Sequence, residues 1–304
     1  MPFLLILLAA CNNTESTLQP RKIMRLDIAA SQPDIEFTEN EQAAFQAWLE
    51  VIKGEYSKEE YANSLAVTAF EPLVLQFLPP LDSVEAVITT ILPSDITPVG
   101  VISPYNQMVI THPDGFLFIA LNHYLGADNQ VYAGRFPEHE RKRKEISRMP
   151  IDITIALHAS NHPDSLSVNS SLLNHLLYQG ALLESALESL PEETSEAAVL
   201  GMTMQEYEWC VENEANIWQS LISQQLLYST DQQMIKRLLA PAPGSPSISS
   251  NAPGQTALFT ALKITQSYLK NNDINSAKSL LNTSYYNSDK SLIHSKYSPI
   301  YARK

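Results

Sequence analysis

Two histidines four residues apart have the spacing of a zinc site. They are His158 and His162, and they lie in the segment 151–162, which has the pattern of one helix ended by Pro163. On a helix, residues i and i+4 share a face, and zinc peptidases use this spacing in the motif H-E-x-x-H. In that motif the histidines hold the metal, and the glutamate takes a proton from the metal-bound water.

Two other positions of such a site carry unsuitable side chains. Ala159 occupies the place of the glutamate, and losing a general base typically costs about 10²–10⁴ in rate. Zincins of the glutamate type take their third ligand from the following helix, where this chain has Gln179 before Gly180. A neutral amide replaces a carboxylate poorly, and catalytic zinc needs three protein ligands plus water. We therefore expect no catalytic residue, and only the vestigial metal positions His158, His162 and Gln179.

Three interpretations of the histidine pair remain open from the sequence. In the first, both histidines are helix-end or surface residues and the chain has no cofactor. In the second, they bind zinc weakly without catalysis. In the third, the chain is a zinc-dependent metallopeptidase in which a carboxylate from elsewhere completes the site of His158 and His162. The missing base and third ligand favour the first.

Other catalytic patterns are missing from the sequence. It contains no G-x-S-x-G nucleophile elbow, and neither of the glycine-rich phosphate-binding motifs G-x-G-x-x-G and G-x-x-x-x-G-K-[ST]. Of the two cysteines, Cys210 follows Trp209 inside a helical pattern, which is typical of a buried and inert thiol. The sequence therefore offers no nucleophile with a partnering base.

Composition excludes further classes of function. The chain has 304 residues with 33 acidic and 20 basic side chains, giving a formal net charge of −13. Hydrophobic residues make up 44% and charged residues 17%, which is typical of a globular protein. Nucleic acid is not an expected partner, because phosphate binding needs a basic face. The basic run 141–144 is flanked by Glu140 and Glu145, so we predict a solvated helix over 137–146.

The N-terminus has the features of a bacterial lipoprotein signal. Residues 3–10 form an apolar run that is too short to span a bilayer but fits a signal-peptide core. It ends in Leu8-Ala-Ala-Cys11, a lipobox in which small residues expose the bond to the signal peptidase. We predict a signal peptide over 1–10, a lipid on the Cys11 thiol, and a flexible polar tether over 11–35.

The rest of the chain is predicted to form one domain, residues 36–304, of mostly α, α+β class. Short β-rich runs separated by turn signals indicate a small antiparallel sheet, with strands near 99–102, 108–111 and 116–121. Apolar periodicity predicts helices over 40–53, 57–77, 151–162, 172–190, 204–227, 255–270 and 275–282. Helices 151–162 and 172–190 should pack together beside the sheet, with His158, His162 and Gln179 converging between them.

Several segments carry a family resemblance. They are L-N-H-Y-L-G-A-D (121–128), M-P-I-D-I (149–153), N-H-L-L-Y-Q-G (174–180), M-Q-E-Y-E-W-C-V-E-N-E-A-N-I-W (204–218), L-L-Y-S-T-D (226–231), A-P-G (252–254) and S-K-Y-S-P (295–299). In this order they resemble the gliding-motility lipoprotein GldB family of Bacteroidota over roughly residues 40–299.

The resemblance implies a lipoprotein of the cell envelope, anchored by lipid at the outer membrane and facing the periplasm or the cell surface. In gliding members the family is needed for motility and the associated secretion machinery. It also looks like a relative of predicted zinc peptidases, which implies a zincin-like helical domain. The family offers no catalytic residues to transfer, so Cys11 alone is carried over, as the site of lipid attachment.

These observations favour a non-catalytic envelope lipoprotein that acts through an as yet unidentified protein partner. The alternative is the metallopeptidase with an atypical site at His158 and His162. A third hypothesis, a binding lipoprotein that feeds a transporter, would require two α/β lobes, and the sequence predicts too few strands for that.

Overall fold

The computed structural model describes residues 20–32, 36–54, 56–68, 70–103 and 108–299. The predicted signal peptide and Cys11 lie outside these residues. Within them the fold is mostly helical with one small sheet, which confirms the predicted α+β, mostly α class.

The first part of the chain builds the sheet and the helices around it. In chain order the elements are β1 (Met24–Arg25), α1 (Leu26–Ser31), α2 (Glu39–Ile52), α3 (Lys58–Thr68), α4 (Phe70–Phe77), α5 (Asp82–Ile91), β2 (Thr97–Val101), β3 (Val109–Thr111) and β4 (Phe116–Ala120). Helix α2 begins at a capping box, in which Thr38 and Glu41 each accept a hydrogen bond from the backbone N–H of the other.

The sheet has the order β1-β2-β4-β3 and is mixed. The β3–β4 hairpin is antiparallel as predicted, but β2 pairs with β4 in parallel, with Thr97 opposite Phe116. An entirely antiparallel sheet was therefore the wrong prediction. The reason is that the hairpin places β4 between β2 and β3, so that β2 and β4 run in the same direction. Both are buried along most of their length, which explains their continuous apolar runs.

The segment before α2 is folded, at least over residues 20–32, where the sequence predicted a flexible tether. Strand β1 pairs in parallel with β2, with Met24 opposite Val99. Ile23, Leu26 and Ala30 are buried. Helix α1 has only six residues, too few for an apolar periodicity to be recognised in the sequence. Strand β1 has only two, so it is ordered by its pairing with the distant β2.

The second part of the chain is helical. Its elements are α6 (Glu138–Arg141), α7 (Met149–Asn161), α8 (Leu172–Ser189), α9 (Glu196–Leu200), α10 (Met204–Glu212), α11 (Glu214–Ser223), α12 (Gln232–Leu239), α13 (Thr256–Asn271), α14 (Thr283–Tyr286) and α15 (Asp289–Ser295). The predicted helix 204–227 is two helices, because Asn213 leaves the helical region with φ −109° and ψ 13°.

Two hydrophobic cores fill the described part of the molecule. We call the one around the sheet the sheet core and the one around α8 and α13 the helical core. Helix α7 belongs to both, because Ile153 and Leu157 face the sheet core while Ile151 faces the helical core. The predicted packing of α7 against α8 and beside the sheet is confirmed.

Candidate functional site

His158 lies near the end of α7 and is hydrogen-bonded to α8. Its Nε2 is 3.0 Å from the Ser189 hydroxyl, and that hydroxyl donates its only proton to the Ser185 carbonyl, at 2.8 Å. The hydroxyl must therefore accept from Nε2–H, so this nitrogen has no lone pair to offer a metal. Burial, with Lys278 and His162 nearby, lowers the pKa of His158, so the ring is neutral at pH 7.

His162 and Gln179 do not share the position of His158. His162 caps α7 with φ −134° and ψ 63°, so it has left the helical face on which residue i+4 would lie. Its carbonyl accepts from the Tyr178 hydroxyl at 3.0 Å. His158 is held at Ser189, which is ten residues beyond Gln179, or about 15 Å along α8.

Two ligands of one zinc ion lie within about 4 Å of each other, because each is about 2 Å from the metal. The side chains of His158 and Gln179 cannot close the gap along α8 to that distance. The predicted convergence of the three vestigial positions is therefore wrong. Across the described ranges, no group of three or more His, Cys, Asp or Glu side chains could hold a metal ion. The zinc affinity of the chain stays a prediction.

The glycine after Gln179 has a packing role. A Cβ added to Gly180 would lie 2.2 Å from the Ala261 carbonyl oxygen and 2.4 Å from the Thr265 hydroxyl. Helices α8 and α13 therefore approach each other at this point as closely as a backbone allows. The Gln-Gly pair that suggested a ligand position marks a helix crossing instead.

A more developed site lies between the two cores, where a cavity of about 490 Å³ opens. One wall is the start of α7 with the turn that precedes it, and the other is formed by the loops on either side of α9. Apolar side chains contribute much of the lining, among them Ile151, Leu190, Pro191 and Met202. Three cations, Lys142, Arg143 and Arg148, line the same cavity.

Arg148 is buried, and two of its guanidinium nitrogens are hydrogen-bonded. Its Nε donates to Asp152 at 2.9 Å, one turn along α7, and its Nη1 donates to the carbonyls of Ala198 and Val199. Asp152 also accepts from the buried Tyr124 hydroxyl at 3.1 Å. The arginine thus joins the start of α7 to α9, and its charge is balanced by Asp152.

Lys142 is also paired. Its ammonium donates to both carboxylate oxygens of Glu206 at 2.7 Å. Glu206 in turn accepts from the Thr203 N–H at 2.8 Å in the capping box of α10. This ion pair closes the side of the cavity that faces α10.

Arg143 differs from the other two cations. Its Nε is buried and makes no hydrogen bond, and no residue in the described ranges accepts from the rest of its guanidinium group. It lies against Gly201, where a Cβ would be 3.2 Å from Nε; the φ of Gly201, +69°, is one that glycine adopts readily. Burial and the neighbouring Arg148 lower the pKa of Arg143 to about 10, so it stays charged at pH 7.

Lys144 completes the basic run and is the most deeply buried of its four side chains. Its Nζ is 2.6 Å from His123 Nδ1 and 3.9 Å from the centre of the Phe136 ring, and burial lowers its pKa to about 8. The predicted solvated helix over 137–146 is therefore wrong. Helix α6 has only four residues, and the chain then turns inward between the cores.

One signal in the sequence could have indicated this site. Arg148 and Asp152 are four residues apart at the start of a helix, which is the spacing of an ion pair. Segments 121–128 and 149–153, which contributed to the family resemblance, supply Tyr124 and Asp152 and meet beside the cavity.

Other motif segments explain the packing of the helical core. Glu214 accepts from the Tyr297 hydroxyl at 2.8 Å, and the Trp218 ring meets Tyr297 edge-on at 5.0 Å. The W-x-x-x-N-E-x-x-I-W segment thus holds the C-terminal segment in place. Cys210, in the same motif, is buried, and burial raises its pKa to about 12, as expected for an inert thiol.

The chain matches a known protein family. The family model described as "Gliding motility protein GldB" matches residues 39–299. No curated protein and no solved structure matches the chain. None of the described helices is long and apolar enough to cross a membrane.

Proposed function

Because the chain belongs to the gliding motility protein GldB family, we propose that it is a non-catalytic lipoprotein of the outer membrane that acts through a protein partner. The family match, which extends over most of the chain, is the observation that carries this proposal. The expected role is to hold or position a component of the envelope machinery and not to transform a substrate.

The lipid anchor is supported by the sequence before the described residues. The apolar run 3–10 ends in the lipobox at Cys11, and the chain enters the fold soon afterwards, at Ile23. A thioether-linked lipid at Cys11 would therefore place the folded domain close to the membrane surface. An extended chain spans at most about 3.5 Å per residue, which limits the distance between Cys11 and Ile23.

The non-catalytic role is supported by what the histidine pair does. Ala159 packs against the helical core, and His158 donates from Nε2 to Ser189. A peptidase would need a base beside a metal-bound water, and the base position holds a methyl group.

The anchor is tested by replacing each cysteine in turn. Cys11→Ala should abolish incorporation of labelled palmitate and release the protein from the outer-membrane fraction, whereas Cys210→Ala, in the buried thiol, should leave both unchanged. Unaltered fractionation of the Cys11 variant would refute the anchor. Protease treatment of intact cells then tells surface exposure from a periplasmic location.

The alternative function, a zinc-dependent metallopeptidase, is tested by measuring how much zinc the chain binds. The purified chain is incubated with equimolar zinc, freed of excess and weighed by native mass spectrometry beside a His158→Ala/His162→Ala control. We expect far less than one zinc per chain, with no difference from the control. One zinc per chain that the double variant loses would contradict the non-catalytic proposal and would require peptidase assays.

A further inference from the structure

The cavity between the cores contains one positive charge that the protein itself leaves unpaired. Lys142 is paired with Glu206, and Arg148 is paired with Asp152. Among the described residues Arg143 alone of these three cations has no acceptor, and its Nε is shielded from solvent. The two Nη nitrogens of Arg143 are not among the buried atoms and also have no acceptor in the described ranges, so they are the donors that a ligand in the cavity would meet.

The acidic side chains that line the cavity do not fill this role. Glu145 accepts from the Ala127 N–H at 2.7 Å, away from Arg143, and both Glu145 and Glu193 are exposed. The charges that act on Arg143 are those of Arg148, which repels it, and Asp152, which already binds Arg148 and Tyr124. Arg143 is therefore the one of the three lining cations without a paired carboxylate among the described residues.

The walls restrict the chemistry of the ligand further. Ile151, Leu190, Pro191 and Met202 present apolar surface, and the volume of about 490 Å³ falls in the range of small-ligand pockets, about 300–1,000 Å³. One planar guanidinium group matches one carboxylate in charge and shape. A phosphate dianion would favour a second unpaired cation, and Lys142 and Arg148 are already paired with Glu206 and Asp152.

We propose that this cavity binds the free carboxyl end of a polypeptide that terminates in apolar residues, with Arg143 receiving the carboxylate and the α7–α9 walls receiving the side chains. Capture of a terminal carboxylate is a known mode of peptide recognition. The inference rests on the proposed role of a protein partner, and it adds the chemistry by which that partner is recognised.

The first test compares two ligands on the unaltered full chain in detergent. The probes are an N-acetylated leucine dipeptide with a free carboxylate and the same dipeptide as its C-terminal amide, measured by isothermal titration calorimetry. The acid should bind about 10- to 100-fold more tightly than the amide, as expected for a charge-assisted hydrogen bond. Equal affinities, or no binding of either probe, would overturn the proposal, and this comparison does not depend on a variant that folds.

The second test removes the charge. Arg143→Gln should lose the preference for the acid, whereas Arg237→Gln, a matched change at the exposed face of α12, should retain it. Circular dichroism shows whether both variants are folded. An Arg143 variant that is folded and still prefers the acid would refute the role of Arg143.

Two further measurements test for other occupants of the cavity. Inorganic phosphate that displaces the dipeptide acid at lower concentration than acetate does would assign the cavity to phosphate and overturn the proposal. A dimer that the Arg143 variant abolishes would assign the cavity to a second copy of the chain and would overturn it as well. Normal lipidation and fractionation alongside failed binding would refute this inference but leave the proposed function standing.

Discussion

Adding one methyl group at Gly180 tests how α8 and α13 fit together, because two effects of the change have opposite signs. Alanine favours a helix over glycine by about 1 kcal/mol, so in a loosely packed helix Gly180→Ala would stabilise the protein. Here the new Cβ would lie 2.2 Å from the Ala261 carbonyl oxygen, a separation that real Cβ atoms do not show. The carbonyl belongs to the backbone of α13, so it cannot rotate away.

The cost follows from the shift that this contact demands. The two helices, of 18 and 16 residues, must separate by roughly 1 Å, and a gap of that size forfeits a quarter to a half of the dispersion energy of each facing pair of atoms. Overpacking of this kind typically costs about 1–3 kcal/mol and occasionally more. Because both helices are central to the helical core, we take the upper end of this range, and after subtracting the gain of about 1 kcal/mol from helix propensity we expect a net loss of about 2 kcal/mol.

The assay is urea unfolding followed by far-ultraviolet circular dichroism, with a thermal scan beside it. The midpoint temperature should fall by roughly 3–5 °C. Gly134→Ala is the control: it adds the same methyl group where no atom lies within 4 Å, so its cost reflects only the φ of +75°, about 1 kcal/mol. A stability of Gly180→Ala equal to or above that of the unaltered protein would refute the close crossing.

Three further outcomes follow from buried groups. Burial lowers the pKa of Lys144 to about 8. Between pH 8 and the ordinary pKa of a lysine the unfolded chain therefore binds more protons, and stability rises with pH. Lys144→Met should remove that rise, so the difference in unfolding free energy between the two proteins should change by roughly 1–3 kcal/mol from pH 7 to pH 10.5; parallel curves would contradict the shift. The Cys210 thiol should resist iodoacetamide at pH 8 until urea unfolds the chain, because it is buried and its pKa is raised to about 12. Rapid labelling of the folded protein, measured by mass spectrometry, would disprove this. Tyr297→Phe should cost about 1–3 kcal/mol in urea unfolding, because Glu214 loses its donor, and an additional Glu214→Ala change should add little, since both remove the same bond.

Local signals in the sequence were enough to place many of the helices. Helix α8 was predicted as 172–190 and is observed over Leu172–Ser189. Capping boxes form at Ser57 and Thr203, each of which is followed three residues later by a glutamate in the sequence. These features are set by neighbours within one helical turn, and a reader of the sequence sees those neighbours directly. Helices α5 and α12 were not predicted. Their apolar patterns are short, and packing against the two cores supplies much of what stabilises them.

Features that depend on distant partners were not predictable in the same way. The direction of β2 relative to β4 depends on where the β3–β4 hairpin inserts. Likewise, nothing near Arg143 in the sequence indicates that Gly201 will cover its guanidinium group. A run of four basic residues looks solvated because its flanking glutamates are local, whereas the surfaces that bury Arg143 and Lys144 come from other parts of the chain.

The histidine pair shows that an i, i+4 spacing in the sequence is not enough to place two side chains on one helical face. The i, i+4 rule requires both residues to be helical, and His162 is the cap at which α7 ends. Pro163 was recognised as a helix stop, but the consequence for the geometry of the pair depends on the backbone angles of a single residue.

The pairing of β1 with β2 has a mechanical consequence for a chain held to a membrane through Cys11. If the proposed anchor at Cys11 and the proposed partner pull against each other, the tension enters the fold at its N-terminal edge. There it loads the two-residue strand β1 and the hydrogen bonds that join residues 21–23 to Thr89, Glu85 and the carbonyls of Ser94 and Ile96. These few bonds can break in sequence while β2, β4 and both cores stay intact. A pulling experiment on such a chain should therefore record a small early extension, from the release of β1 and α1, before the main unfolding event.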